Sequence, residues 1–361
     1  MHSNETHSPI MGSRRRLSAL IAIVSIASVV LMGGARVEAV ATPNAAYATF
    51  ATPTGANPSW TSALSMPGAA GFPSASIVTN SLSPSVPSGA STWLSAATPF
   101  GAQFASSQNQ GYLNFSPTTG QAMSTTTITF ASPTPITGWG FALGDVDAES
   151  ISISAIDEFG APVSGANLGF QSVFNFCNIS SPKPSTCTGV SVYDTPVWTS
   201  GVSGGVLQGN VNDTVGASGW FMPSVRLSQL TLANANLSGI PTASLWIASN
   251  LRTISGNISS DPVSSSTTTS TSAPSAAQPV ADAVVSVLDG ANNVIASTTT
   301  DANGDFSIPT LAPGIYTIVE EPPSGYLPPT NFPLTVDVTY GDVTGIIVKN
   351  VAASVAPSFA G

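Results

Sequence analysis

Thr300-Asp301-Ala302-Asn303-Gly304-Asp305-Phe306-Ser307-Ile308 is followed by Leu311-Ala312-Pro313-Gly314-Ile315-Tyr316-Thr317-Ile318-Val319-Glu320 and then by Pro323-Ser324-Gly325-Tyr326. A polar Asp-x-Asn-Gly turn separates two alternating runs, and a Pro-Gly turn leads into the next. Asn and Gly supply the positive φ of a tight turn, so the expectation is hairpin chemistry. Working outward, strands are expected at Ala283–Leu288, Asp305–Ile308, Ile315–Glu320, Leu334–Thr339 and Gly345–Asn350.

The same period continues upstream. Thr125-Thr126-Thr127-Ile128-Thr129-Phe130 alternates, as do Trp139, Phe141 and Leu143, then Ile151, Ile153 and Ala155, then Leu245 and Ile247. Period 2 places such residues on one face of a sheet, and no window holds a helical period. Short strands between Gly and Pro turns indicate sandwiches. The expected fold is therefore all-β: a larger, jelly-roll-like N-terminal β-sandwich and a small C-terminal one.

The C-terminal motifs, over about residues 279–352, resemble the B-type repeat of Gram-positive surface adhesins. That resemblance implies a transthyretin-like (prealbumin-like, Ig-like) β-sandwich that serves as stalk or spacer. Gly138-Trp139-Gly140-Phe141-Ala142-Leu143-Gly144-Asp145-Val146-Asp147, with Gly216-Ala217-Ser218-Gly219-Trp220-Phe221, loosely resembles secreted bacterial β-sandwich domains of unassigned role. In isopeptide-forming adhesin domains a first-strand Lys joins a last-strand Asn beside a buried Glu. By that resemblance Glu320 matches the acid and Asn350 the acceptor. Only Lys183 and Lys349 exist, and neither lies near Ala283–Leu288, so no cross-link is expected.

The division read from the sequence is a leader over 1–41, a low-complexity lead-in with weak strands over 42–110, and the main part of the N-terminal sandwich over 111–255. A Ser/Thr/Pro linker over 256–279, open to O-glycosylation or a bare tether, then leads to the module at 280–352 and a tail. In the leader, Arg14-Arg15-Arg16 precedes the apolar run Leu17 to Met32, and Ala39-Val40-Ala41 offers a cleavage site. The run falls short of the roughly 20 residues that span a bilayer. Part of a twin-arginine signal is present, and general export fits equally.

Cleavage removes both histidines, four of the eight Lys and Arg and two of the 18 acidic residues, leaving a net charge of −12. A nucleic-acid partner needs a basic footprint, which is missing, and an anionic membrane is disfavoured likewise. Charged residues make up 7% of the chain, against about 25% in ordinary soluble domains. Such a polar, uncharged surface suits a secreted β protein, at the cell surface or free of it.

Cys177 and Cys187 stand ten apart. In an exported protein they are expected to form a local disulfide. Asp145-Val146-Asp147-Ala148-Glu149 crowds three carboxylates into five residues of a charge-poor chain. Two readings stand: a calcium site of Asp145, Asp147, Glu149 and Asp213, since calcium takes hard oxygen ligands, or a solvated turn. Asp301–Asp305 mimics the start of a calcium loop but has Phe306 where Gly is needed and Ala312 where Glu is needed.

All six tryptophans lie in the first domain. Trp246 falls opposite the Leu245/Ile247 face, making it the best aromatic for stacking on a sugar, although packing remains the alternative. Without histidine, Ser-His and Cys-His catalysis is excluded from the mature chain. The leading function is a non-catalytic surface or extracellular structural and adhesion protein, with a glycan or a matrix or surface protein as partner. A carbohydrate-binding protein is the runner-up, and a two-carboxylate glycosidase comes third.

Overall fold

The computed structural model describes residues 44–118, 123–260, 277–329 and 332–353. Residues 1–41, read from the sequence as an export leader, lie outside them. Two sandwiches stand in one compact unit over Thr42–Gly361, and nearly all of their regular structure is strand.

The larger sandwich is built from two antiparallel sheets. One has six strands, in the order Ala45–Tyr47, Ala243–Asn250, Trp139–Gly144, Ala217–Phe221 and Phe170–Asn175, with Leu113–Phe115 also pairing to Ala243–Asn250. The other has nine, running Val197–Ser200, Gly205–Gln208, Glu149–Asp157, Leu227–Asn236, Ser124–Phe130, Ala75–Thr79, Ser59–Ser65 and Thr49–Phe50, with Thr54–Ala56 on the side of Ser59–Ser65. Between them lies a core of Ile77, Leu113, Phe115, Ile128, Trp139, Phe141, Leu143, Ile151, Leu230, Leu245 and others.

Several sequence expectations change here. Residues 42–110 are not a lead-in: they supply strands to both sheets, including the buried Leu64 and Ile77. Their Ala, Ser and Pro content hid short strands in which Phe50, Leu64, Ala75 and Ile77 point inward while Val78 is exposed. They also hold a helix, Pro99–Phe104, whose cap Thr98 accepts from the Gly101 N–H at 3.0 Å. Thr followed by Pro at the first helical position is a start signal the sequence did carry.

Trp246 is not a surface ring. It is fully buried. The outer face of the six-stranded sheet is covered by a second cluster that includes Phe100, Phe104, Tyr112, Phe176 and both cysteines. Trp246 packs against Tyr112 with ring centroids 4.7 Å apart. Alternation placed it correctly on the opposite face, but that face is also interior.

The smaller sandwich starts earlier than its motifs suggest. Its five-stranded sheet is organised around Arg252–Ser260, which pairs in parallel with Val343–Ala352 and antiparallel with Asp305–Leu311 and Gln278–Pro279; Tyr326–Leu327 pairs with Val343–Ala352. The facing sheet runs Val294–Thr299, Val284–Leu288, Ile315–Glu321, Leu334–Asp337. Ile254 and Ile258 sit in the module's own core. The Ser/Thr tract is therefore not a linker between domains. Residues 261–276 lie outside the described residues; the strands that flank them in sequence both belong to the smaller sandwich and pair with each other, Ser260 opposite Gln278.

The two diagnostic turns also change role. The Asp301–Asp305 turn is held by the Asp301 carboxylate, which accepts from the Asn303 and Asp305 N–H groups at 2.8 and 2.9 Å, with Gly304 at φ 77°. These bonds keep the Asp301 carboxyl below its usual range, that from the Asp305 N–H most of all. Its flanking strands, Val294–Thr299 and Asp305–Leu311, lie in different sheets, as do the strands flanking Pro313-Gly314. Both turns carry the chain across the sandwich rather than closing a hairpin.

Candidate functional site

The strand Trp139–Gly144 ends at Asp145, which adopts φ 63°, and the chain enters Glu149–Asp157 four residues later. This crossing carries the chain between the two sheets of the larger sandwich and sets three carboxylates at one end of it. The Asp145 Oδ1 accepts from the Gly216 N–H at 3.0 Å. The Asp147 Oδ1 accepts from the Ala148 N–H at 2.6 Å, and the Glu149 Oε2 accepts from the Asp147 N–H at 3.2 Å. Asp147 and Glu149 are buried.

Asp194, which no sequence pattern marked, joins them. Thr214 Oγ1 stands 2.6 Å from Asp194 Oδ1 and 3.2 Å from Asp147 Oδ2. One hydroxyl carries one hydrogen, so it cannot satisfy two ionised carboxylates at once. Asn210 Nδ2 donates to Asp194 Oδ2 at 2.7 Å. Asp213 is exposed and acts on the group through its charge.

Burial pushes the Asp145 carboxyl up to about 6, with the charges of Asp213 and Asp194 adding to it and the Gly216 N–H opposing. Burial likewise raises Asp147 to about 7, helped by the Asp145 charge. Glu149 is raised well above its ordinary value by burial, then by Asp147 and Asp145. Like charges without a cation favour the protonated acid. Among the described residues no three acidic, His or Cys side chains converge as a metal-ligand set. Asp145, Asp147, Glu149 and Asp213 thus form a graded acidic line from interior to surface.

Cys177 and Cys187 are joined in a disulfide, with Cα atoms 5.2 Å apart. It ties the short helix Phe176–Ile179 to the turn Ser185–Cys187 within the cluster over the six-stranded sheet. In the smaller sandwich, Asn350 Nδ2 donates to Glu320 Oε1 at 2.7 Å, linking one sheet to the other. Lys349 is exposed on its strand.

Residues 260–346 match the family model of the carboxypeptidase regulatory-like domain, a transthyretin-like fold. A search of curated proteins returns no match. Among solved structures, the major pilin subunit BcpA of Bacillus cereus is 9% identical, covering 67% of this chain and 72% of that one, at a TM-score of 0.23. The pilus 2b backbone protein of group B streptococcus is 13% identical, covering 67% and 98%, at 0.23. The major pilin SpaD of Corynebacterium diphtheriae is 11% identical, covering 65% and 62%, at 0.22. Superpositions this loose carry no argument, and the all-β fold rests on the strands themselves.

Proposed function

We propose that this chain is a non-catalytic extracellular structural protein in which two β-sandwiches form one stiff unit. One observation carries this reading: the two cores are stitched together by adjacent residues. Ala69 belongs to the larger core while Ala70 packs on the smaller one; Leu311 belongs to the smaller core while Ala312 is buried in the larger. The backbone follows the same exchange. The Ala70 N–H donates to Thr310 O and the Ala312 N–H donates to Ala70 O, both at 2.8 Å.

The two sandwiches meet closely at Gly71. Gly71 lies against Tyr316, and a Cβ there would sit 2.4 Å from the Tyr316 hydroxyl oxygen. That hydroxyl donates to Ala312 O at 2.8 Å. Only Leu251 separates the Ala243–Asn250 strand of one sandwich from the Arg252–Ser260 strand of the other. Domains joined by a tether move independently by default, whereas shared core residues and main-chain bonds hold an orientation. Such a unit transmits force and sets distance, which is what a structural subunit does.

The disulfide fits an oxidising, extracellular compartment. Among the described residues no helix is long and apolar enough to cross a membrane. The reading of a glycan-binding face loses the residue proposed for it, because Trp246 is interior. Paired spin labels, one on each sandwich, test the proposal through their distance distribution. A single narrow distance is expected; a broad distribution spanning many ångströms would reduce the chain to two tethered modules.

A further inference from the structure

The interior end of the larger sandwich holds polar atoms that the chain itself leaves without partners. Glu149 opens its strand; Asn236 stands directly opposite it, and Asn234 stands opposite Ile151. Ile151 belongs to the main core. Residues two apart share a face, so Glu149, Asn234 and Asn236 point to the core side of the same strand pair. Directly opposed or diagonal side chains on one face start about 5–8 Å apart at Cβ, close enough for their ends to meet.

Glu149 and Asn234 are fully buried. Glu149 Oε1, both Asn234 side-chain atoms and Asn236 Oδ1 are buried without a hydrogen-bond partner. Neighbouring polar groups are satisfied. Thr79 and Thr126 hydroxyls lie 2.8 Å apart, Ser81 Oγ accepts from the Ser116 N–H at 2.7 Å, and Ser124 Oγ donates to Ser116 O at 2.7 Å. At this polar end the orphaned atoms therefore fall on this one strand pair, apart from single atoms elsewhere such as the indole nitrogens of Trp60, Trp93 and Trp246. A buried polar group without a partner keeps its full desolvation penalty.

Three of the four orphans are oxygens, and one belongs to a carboxyl group. A water molecule offers two hydrogens and no charge. Among the described residues no basic side chain reaches the site. Lys183 sits over the Tyr193 ring, Arg226 faces Glu158, Arg252 lies by Gly138, and Lys349 is on the smaller sandwich. The acidic groups nearest to Glu149 are Asp147 and Asp145. A carboxylate with carboxamide oxygens, in a field of further carboxylates, is the donor chemistry of calcium.

We propose that Glu149, Asn234 and Asn236 bind a calcium ion in the closed end of the larger sandwich, approached along the acidic line of Asp213, Asp194, Asp145 and Asp147. The ligand set thus lies inside the strand pair, and only Glu149 belongs both to it and to the carboxylate group read from the sequence.

The test uses the full chain, with metal content measured by elemental analysis after desalting and melting followed in calcium chloride, magnesium chloride or EGTA. One calcium per chain is expected, with a melting temperature several degrees lower in EGTA. Glu149→Gln keeps the size and the oxygen that accepts from the Asp147 N–H; it should fold, hold no calcium and melt alike in calcium and EGTA. Asp213→Asn should keep the metal. No retained metal and no EGTA effect would leave ordered water in the site and overturn the proposal. So would a magnesium effect equal to that of calcium, or loss of the metal in Asp213→Asn but not in Glu149→Gln. Should Glu149→Gln not fold, the stoichiometry and EGTA response of the natural chain, with Asp213→Asn, decide.

Discussion

Trp246 is fully buried on the face of its strand opposite Leu245, packed against the Tyr112 ring. Parity assigned Trp246 to the face opposite Leu245, and it is there, but alternation cannot say whether that face meets water or a covering layer. The cover includes Leu94, Phe100, Phe104 and Tyr112 together with Phe176 and the Cys177–Cys187 loop, far away in sequence. Trp246→Ala should therefore cost about 3–5 kcal/mol, the range for emptying a buried aromatic site, measured by denaturant unfolding; a change under 1 kcal/mol would return the ring to the surface. The Glu320–Asn350 pair was legible only through its resemblance to a cross-linked motif. Burial raises the Glu320 carboxyl above its ordinary 4.5, opposed by the Asn350 hydrogen bond. A folded-state pKa above the unfolded one means that folding takes up a proton. The contribution is then present below the ordinary pKa and lost as pH rises through the folded one. Glu320→Gln should melt higher than the natural chain at neutral pH and equal to it below pH 4.5. A lower neutral melt would show that the ionised pair stabilises the fold.

At the scale of elements, most strands of the smaller sandwich were legible because its turns are written in Asp, Asn, Gly and Pro. The strand that organises it was not. Arg252–Ser260 carries only Ile254 and Ile258 as strong apolar residues, with Gly256 between them, and a low-complexity tract follows it. Composition made the tract look like a boundary, whereas the boundary is Leu251. Pairing register, a long-range property, decides such cases. A protease site engineered between residues 264 and 272 separates the two possibilities. After cutting, the pieces should co-elute under native conditions, because the strand N-terminal to the cut stays paired with Asp305–Leu311 and Val343–Ala352. Separation of the pieces would restore the linker.

For the whole molecule, the question is whether two cores behave as one. A small sandwich alone is marginally stable, since little of its surface is buried. Here it gains from its neighbour: Ala312 leaves the smaller module to fill the larger core, and Ala70 does the reverse. None of this exchange could be read from sequence, because both residues are alanines without a pattern. Calorimetry of the full chain should show a single cooperative transition. Ala312→Asp places a carboxyl at a fully buried position beside the Tyr316 hydroxyl, which already donates to the backbone there. Burying it without a partner costs on the order of 3 kcal/mol, and swinging the joint open relieves that cost without unfolding either sheet. The variant should therefore split the transition in two, the smaller sandwich melting first, while the β-sheet circular dichroism at room temperature stays unchanged. Two transitions in the natural chain would show that the modules fold independently, and the stiff unit would then lack its physical basis.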